Sequence, residues 1–222
     1  MKLSIVIPVL NEAAVVGKTL VSLAPLRARG HEVIVADGGS EDATRELAAP
    51  LADRVVVAPR GRASQMNAGA AVAGGEALLF LHADTRLPAN ADHLISHSLK
   101  KNLWGRFDVT IEGRSTLLPV IAFFTNLRSR FTGIATGDQA IFVRRGMFYG
   151  FPEIALMEDV AFSKVMKRRS PPACLHARVV TSGRRWDERG VLRTMLLMWR
   201  LRLGYFLGAA PDDLARRYAN KA

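Results

Sequence analysis

The stretch that most constrains the fold is Ala77–Asp84, in which an apolar run leads directly into His82 and a carboxylate. A short continuous apolar run before a turn-like segment is typical of a strand buried on both faces of a parallel sheet, although a buried helix shares this periodicity. The carboxyl ends of such strands form the sheet edge at which ligands bind. Asp84 at that edge can bind a divalent cation shared with a diphosphate, or it can cap the next turn.

This run is the fourth apolar segment of the chain, and helical patterns separate the four segments. Alternation at this pace predicts βαβ units, and therefore an α/β fold with a mostly parallel central sheet and flanking helices. The predicted strands are Leu3–Val9, Val33–Ala36, Val55–Ala58 and a strand starting at Ala77. The predicted helices are residues 12–23 with Asn11 as the N-cap, a short helix opened by Ser40, and residues 64–73.

Three acids follow these strands: Glu12 after the first, Asp37 after the second and Asp84 after the fourth. No GxGxxG follows the first strand and no GxxxxGK[ST] occurs, which argues against a dinucleotide oxidoreductase and a P-loop enzyme. Acids on one edge repel each other unless cations or hydrogen-bond donors lie nearby. Because Arg60 and Arg62 follow the third strand, the edge suits a metal-bound nucleotide diphosphate.

The charge of the chain is concentrated in its second half. Residues 100–222 contain 22 of the 31 Lys and Arg residues but only 10 of the 20 acids. A positive field of this kind attracts nucleotide phosphates, lipid phosphates, an acidic membrane surface or nucleic acid, and composition does not choose among them.

Three features predict a cytoplasmic protein. The single cysteine, Cys174, excludes an intrachain disulfide and fits a reducing compartment. The first residues are interpreted as a strand rather than a signal peptide, because they lack a small-residue cleavage site. No stretch reaches the ~18 apolar residues that span a bilayer.

Four segments of the first half resemble, in order and spacing, the motifs of family 2 glycosyltransferases with the GT-A fold. They are Ile5–Glu12, Ile34–Thr44, Gly61–Gly69 and Phe80–Asp84. Later motifs extend the resemblance to about residue 190. It implies a GT-A domain over residues 1–190, with a nucleotide-binding half (1–100) and an acceptor half (101–190), followed by a C-terminal amphipathic helical segment (191–222). More narrowly, the chain resembles short bacterial enzymes associated with arsenosugar or selenium-linked gene sets.

The resemblance also implies roles for residues of the first half. Asp37 would accept a hydrogen bond from the base, and Asp84 would bind Mg²⁺ or Mn²⁺ as the last acid of an Asp-x-Asp motif. Its first position is here His82, which either contacts the ribose or only fills the pocket. The implied nucleotide-sugar site consists of Pro8, Glu12, Asp37, Arg62 and His82.

In the second half, the resemblance implies that Asp159 is the general base. An acceptor hydroxyl needs a carboxylate to take its proton during attack, but acids also favour the first turn of any helix. The residues expected near the acceptor and diphosphate are Asp138, Gln139, Glu158, Arg185 and Trp186. Arg185 and Trp186 could equally form a solvated basic turn, and His176 is either a further metal ligand or structural.

Two apolar segments in this half remain open to more than one interpretation. Residues 115–131 form either a core helix or a lipid-facing helix between arginines. Residues 191–207 mix aliphatic, Trp and Tyr side chains with arginines, which indicates an interfacial helix, a helix packed on the domain or a homodimer contact.

The resulting hypothesis is a metal-dependent inverting glycosyltransferase of the hexosyltransferase class. It would move a sugar from a UDP- or GDP-sugar to an unidentified acceptor hydroxyl, either free in the cytoplasm or on the inner face of the membrane. A sugar nucleotidyltransferase is the alternative enzyme, although no Gly-rich loop follows the first strand. A basic module for anionic membrane or nucleic acid would explain the charge but not the acids, and nucleic acid is not expected.

Overall fold

Four parallel strands form one half of the central sheet, as the alternation of apolar segments predicts. The structure is a computed structural model that describes residues 1–220. Its strands are β1 (Leu3–Val9), β2 (Glu32–Asp37), β3 (Arg54–Val57), β4 (Ala77–Phe80), β5 (Thr85–Arg86), β6 (Trp104–Glu112), β7 (Phe142–Arg144) and β8 (Ala173–Ser182). The predicted strands therefore lie within about two residues of β1–β4, and β4 is fully buried as expected.

The eight strands form one mixed sheet in the order β3-β2-β1-β4-β7-β6-β8-β5. Pairings are parallel among β1–β4 and between β6 and β8, and antiparallel where β7 joins β4 to β6 and where β5 joins β8. Strand β5 follows β4 in the chain but pairs with β8 at the far edge. The segment after β4 therefore crosses the sheet end, and it carries His82 and Asp84 with it.

Helices cover both faces of the sheet. They are α1 (Ala13–Ser22), α2 (Ala24–Ala28), α3 (Thr44–Ala48), α4 (Arg62–Ala71), α5 (Ala91–Ser98), α6 (Leu118–Thr132), α7 (Glu158–Lys167), α8 (Arg184–Arg189), α9 (Val191–Phe206) and α10 (Pro211–Asn220). Residues alternate between the two core layers along β1, since Ile5 and Ile7 pack in one layer and Val6 in the other.

Helix α4 lies unusually close to the sheet because of one glycine. A Cβ atom at Gly69 would overlap the side chain of Val6, so only glycine allows this approach. The close packing holds Arg62, the first residue of α4, at the sheet edge where the strand-end acids lie.

Two predicted helix starts are wrong, and for the same reason. Asn11 does not cap α1, since its φ is +54° and its side chain accepts a hydrogen bond from the Glu41 amide at 2.9 Å. Ser40 does not open α3, which begins at Thr44, and its hydroxyl instead accepts a hydrogen bond from the Asn11 amide. Both polar residues connect the loop after β1 to the loop after β2.

A buried carboxylate connects α5 to the segment before β2. Asp92 accepts hydrogen bonds from Arg29 and His31 at 2.7 and 3.1 Å. Burial raises the pKa of Asp92, but the bonds from Arg29 and His31 outweigh this effect and lower the pKa to about 2. The charged form of Asp92 therefore stabilises the fold.

We expect Asp92→Asn to lower the free energy of unfolding at pH 7 by about 2 kcal/mol. Because the folded-state pKa is depressed, this contribution is complete well above the unfolded-state value near 4. It falls to about half at pH 3 and vanishes below pH 2. Urea denaturation of both proteins at several pH values measures the difference, with Glu46→Gln, an exposed acid on α3, as the control. A difference independent of pH would contradict the assignment.

Candidate active site

Asp37 ends β2 with one carboxylate oxygen bound by the protein and one left free. Its Oδ2 accepts hydrogen bonds from the amides of Gly39 and Ser40, both at 3.0 Å, in a turn that the positive φ of Gly39 allows. Its Oδ1 is buried and has no hydrogen-bond partner among residues 1–220. An unpaired buried carboxylate oxygen is costly, so this atom is suited to accept a hydrogen bond from a ligand.

Two further predicted residues, Glu12 and Asp84, lie close enough that the charge of Asp84 affects Glu12. Burial raises the pKa of Glu12, and the negative charge of Asp84 raises it further, while Arg184, Arg185 and His82 oppose the rise. The predicted acids of the first and fourth strand ends are therefore neighbours, and α8 brings positive charge to them.

The carboxylate of Asp84 is only loosely held by the protein. The hydroxyl groups of Thr85 and Thr181 lie 3.4 and 3.5 Å from its Oδ1, at the limit of a hydrogen bond. Within residues 1–220 no group of three or more His, Cys, Asp or Glu residues is arranged to hold a metal ion. Mg²⁺ usually binds to one or two carboxylates and completes its shell with water and substrate phosphates, so the residues present fit such an ion.

His82 connects the loop after β4 to the turn before β7. Its Nδ1 lies 3.1 Å from Asp138 Oδ1, and its ring packs against Gly137, where any Cβ atom would collide with it. Desolvation by neighbouring residues raises the pKa of Asp138, but the hydrogen bond from His82 and the positive charges of His82, Arg62 and Arg185 outweigh it and lower the pKa to about 2, while the side chain remains 59% exposed. Asp138 is therefore a carboxylate held charged in the cleft.

Asp159 lies close to the His82–Asp138 pair, because Gly137 in the turn before β7 donates a hydrogen bond to it. Its Oδ2 accepts a hydrogen bond from the Gly137 amide at 2.9 Å, and its Oδ1 accepts one from the amide of Val160. The neighbouring Glu158 is buried, 3.6 Å from an Arg62 guanidinium nitrogen. Burial and the charge of Asp159 raise the pKa of Glu158.

One prediction about this half requires a correction, and for His176 the structure favours one of the two alternatives. The side chain of Gln139 is fully buried, bonds to Thr136 and Asn126, and has no access to the cleft. His176 is exposed and lies beside Asp108 and Arg130, so it does not join Asp84.

The remaining predicted residues border the same edge. Pro8 is half-buried in β1, and Trp186 is half-buried in α8. Arg185 donates a hydrogen bond to the hydroxyl of Tyr218 on α10. The sequence contained no motif that would have indicated Tyr218, because α10 returns to the cleft through tertiary packing.

Comparison with known proteins shows the family of the chain. Residues 4–151 match the family described as glycosyl transferase family 2. The chain belongs to glycosyl transferase family 2. A PGL/p-HBAD biosynthesis glycosyltransferase of Mycobacterium tuberculosis and one of Mycobacterium bovis are each 41% identical to it over 91 residues. That alignment covers 38% of this chain and 36% of each relative, so the chain spans about a third of the length of the curated relatives it matches.

Solved structures share the fold of this family 2 member. TarS of S. aureus in complex with UDP-GlcNAc superposes with a TM-score of 0.63 at 20% identity, over 82% of this chain and 58% of that chain. Glucosyl-3-phosphoglycerate synthase of M. tuberculosis with Mg²⁺ and UDP gives a TM-score of 0.59 at 20% identity, over 81% and 70%. The predicted GT-A fold is therefore confirmed. In the described part of the chain, no helix is both long and apolar enough to cross a bilayer.

Proposed function

We propose that this family 2 member is an inverting glycosyltransferase that moves a sugar from a nucleotide-diphosphate sugar to an acceptor hydroxyl. One observation carries the proposal. The His82–Asp138 pair and the Gly137–Asp159 hydrogen bond join the loop with the metal-motif acid to the helix with the proposed base. These contacts support the proposal that donor and acceptor bind in one cleft.

The donor nucleotide would bind along the ends of β1, β2 and β4. The free Oδ1 of Asp37 accepts a hydrogen bond from the base, beside Pro8 and Glu12. His82 would border the ribose and diphosphate, and its buried Nε2, which lacks a protein partner among residues 1–220, lies against Gly137. Arg62 and Arg185 supply positive charge for the phosphate oxygens.

Asp84 would hold Mg²⁺ or Mn²⁺ together with the donor diphosphate. The bound ion supplies positive charge where the departing diphosphate becomes more negative. The weak hydroxyl contacts of Asp84 support this role, because they leave its oxygens available. The crystallised glucosyl-3-phosphoglycerate synthase complexes contain Mg²⁺ or Mn²⁺ with UDP, which makes UDP-sugars with these ions the first donors to test.

Asp159 would take the proton of the acceptor hydroxyl as that oxygen attacks the anomeric carbon. The Gly137 and Val160 amides orient its carboxylate for this step. The carbon–oxygen bond to the diphosphate breaks as the new bond forms on the opposite face, so one displacement inverts the configuration. Glu158 and Trp186 would border the acceptor.

Two further aspects of the hypothesis remain predictions. One is the division of the chain into a GT-A domain of residues 1–190 and a helical segment of residues 191–222, whose boundary would lie just before α9. The last two residues of that segment, Lys221 and Ala222, lie outside the described residues. The other is the narrower similarity to short bacterial enzymes linked to arsenosugar or selenium gene sets. That similarity would bear on the identity of the acceptor, and our proposal names no acceptor.

A thermal-shift panel tests the donor proposal. We expect one class among UDP-, GDP- and dTDP-sugars to raise the unfolding midpoint, and to do so only with Mg²⁺ or Mn²⁺ present. The bound donor should then release its nucleoside diphosphate when an acceptor is supplied. Release of pyrophosphate from a nucleoside triphosphate and a sugar 1-phosphate, supplied in a separate assay, would instead indicate a nucleotidyltransferase. No shift with any sugar nucleotide would contradict the proposal.

A further inference from the structure

Two long helices carry most of the large apolar side chains that the protein exposes to solvent. Within residues 1–220, 18 large hydrophobic side chains are exposed, and twelve of them lie on α6 or α9 or directly at their ends. Single exposed apolar residues are ordinary, whereas a contiguous set marks an interaction surface. The set on α6 is Leu117, Val120, Phe123, Phe124, Leu127 and Phe131, and the set on α9 is Leu192, Leu196, Trp199, Leu203, Phe206 and Leu207.

Each set forms one stripe along its helix, and we call these two sets the apolar stripes. At 3.6 residues per turn, each stripe occupies about 100–120° of the helix circumference. Other faces make the contacts with the domain, because Ala122 and Ser129 of α6 and Thr194 and Leu201 of α9 are buried. Burial against the domain therefore does not explain the stripes.

The charges beside the stripes have one sign. Neither α6 nor α9 contains an Asp or Glu residue. Arg193 and Arg200 flank one side of the α9 stripe and Arg202 flanks the other. These three guanidinium groups have no carboxylate within ion-pair distance in the part of the chain that the structure describes. The α9 stripe is therefore an apolar surface with a positive border.

A small cavity lies between the two helices and the segment that carries Asp159. It measures about 90 Å³ and lies between α6, α7 and α9. Its lining includes Arg128 of α6, Arg202 and Phe206 of α9, and Met157 and Val160, which flank Asp159 in the sequence. The stripe on α9 thus reaches the segment that carries the proposed base.

We propose that the apolar stripes dock the protein on an anionic lipid membrane. An interfacial helix inserts its apolar face among the acyl chains, while flanking arginines contact the negative head groups. A second copy of the chain would bring like charges together across an isologous contact, which disfavours that occupant. Nucleic acid would match the arginines but leave twelve apolar side chains without a partner. Docking would bring the acceptor side of the cleft to the membrane surface.

Vesicle co-sedimentation tests the proposal without any need for sugar transfer. We expect binding to phosphatidylcholine vesicles that contain about one-third phosphatidylglycerol, weaker binding to pure phosphatidylcholine, and loss of affinity with added salt. The emission of Trp199 should shift to the blue on binding, and a Trp199→Phe variant should lack most of that shift.

Acidic substitutions provide the matched comparison. The double variant Trp199→Glu/Leu203→Glu should bind anionic vesicles at least about tenfold more weakly, since each change places a negative charge in the α9 stripe. The control, Val21→Glu, makes the same kind of change at an exposed apolar position of α1 and should bind as the wild type does. The thermal midpoint should stay within about 2 °C of the wild type in Trp199→Phe, in the double variant and in Val21→Glu, because these positions are exposed.

Three results would overturn the proposal. One is equal binding of the double variant and the wild type to anionic vesicles, and another is equal binding of the wild type to neutral and anionic vesicles. The third is a dimer in light scattering that the double variant converts to a monomer, which would assign the stripes to a second copy. None of these results bears on the glycosyltransferase proposal, because vesicle binding requires neither a nucleotide nor the cleft.

Discussion

Replacing Asp159 with Asn is expected to slow sugar transfer severely while leaving the donor bound. A general base accelerates proton transfer by about 10²–10⁴-fold, and a carboxamide cannot take the proton. The Asn oxygen can still accept the hydrogen bond that the Gly137 amide donates to Asp159 in the wild type, so the turn should keep its place. We therefore expect turnover to fall by about 10³-fold, with the dissociation constant of the nucleotide within about twofold of the wild type.

The measurement is a comparison of turnover and of nucleotide affinity by calorimetry in the same protein preparations. Asp212→Asn provides the control, because Asp212 is also an acid in the first turn of a helix but is exposed on α10. If Asp159 only stabilised its helix, both variants would show the same small effect. Turnover of Asp159→Asn close to that of the wild type would refute its assignment as the base.

The first half of the fold could be predicted because its signals are local. Strands β1, β2 and β4 are buried on both faces and appear in the sequence as nearly continuous apolar runs. Their carboxyl ends meet at one edge, so the positions of Glu12, Asp37 and Asp84 followed from the strand assignments alone. The helix starts predicted at Asn11 and Ser40 are wrong because the hydrogen-bond partner of each residue lies in the other residue's loop, about 30 residues away.

The second half could be predicted only in part, since its decisive contacts are long-range. The two-residue strand β5 pairs with β8 across 96 residues of sequence, a pairing that no local pattern indicates. Gln139 adjoins Asp138 in the sequence, yet a 3₁₀ turn directs one side chain into the core and the other into the cleft. Similarly, Tyr218 reaches Arg185 only because α9 and α10 fold back on the domain.

Replacing Asp84 with Ala is expected to remove the metal dependence of donor binding. In the wild type we expect EDTA to lower the affinity for the nucleotide by about tenfold or more, because the ion would link the diphosphate to Asp84. In the variant, affinity should already be low and should not change with EDTA. Titrations of the nucleotide with Mn²⁺ and with EDTA give the four affinities needed, and Glu41→Gln, an exposed acid on the loop after β2, is the control.

A second measurement on the same variant separates metal binding from simple charge repulsion. The charge of Asp84 raises the pKa of Glu12 in the free protein, so removing it should lower that pKa towards its usual value. Without the negative charge of Asp84, binding of a diphosphate is favoured when no metal is present. When metal is present, loss of the metal ligand disfavours that binding. The two effects have opposite signs, so Asp84→Ala should bind the nucleotide more weakly than the wild type with Mn²⁺, and equally well or slightly better with EDTA. Equal affinities of variant and wild type under both conditions would show that Asp84 neither binds the ion nor repels the phosphates, and would leave it as a cap of the turn after β4.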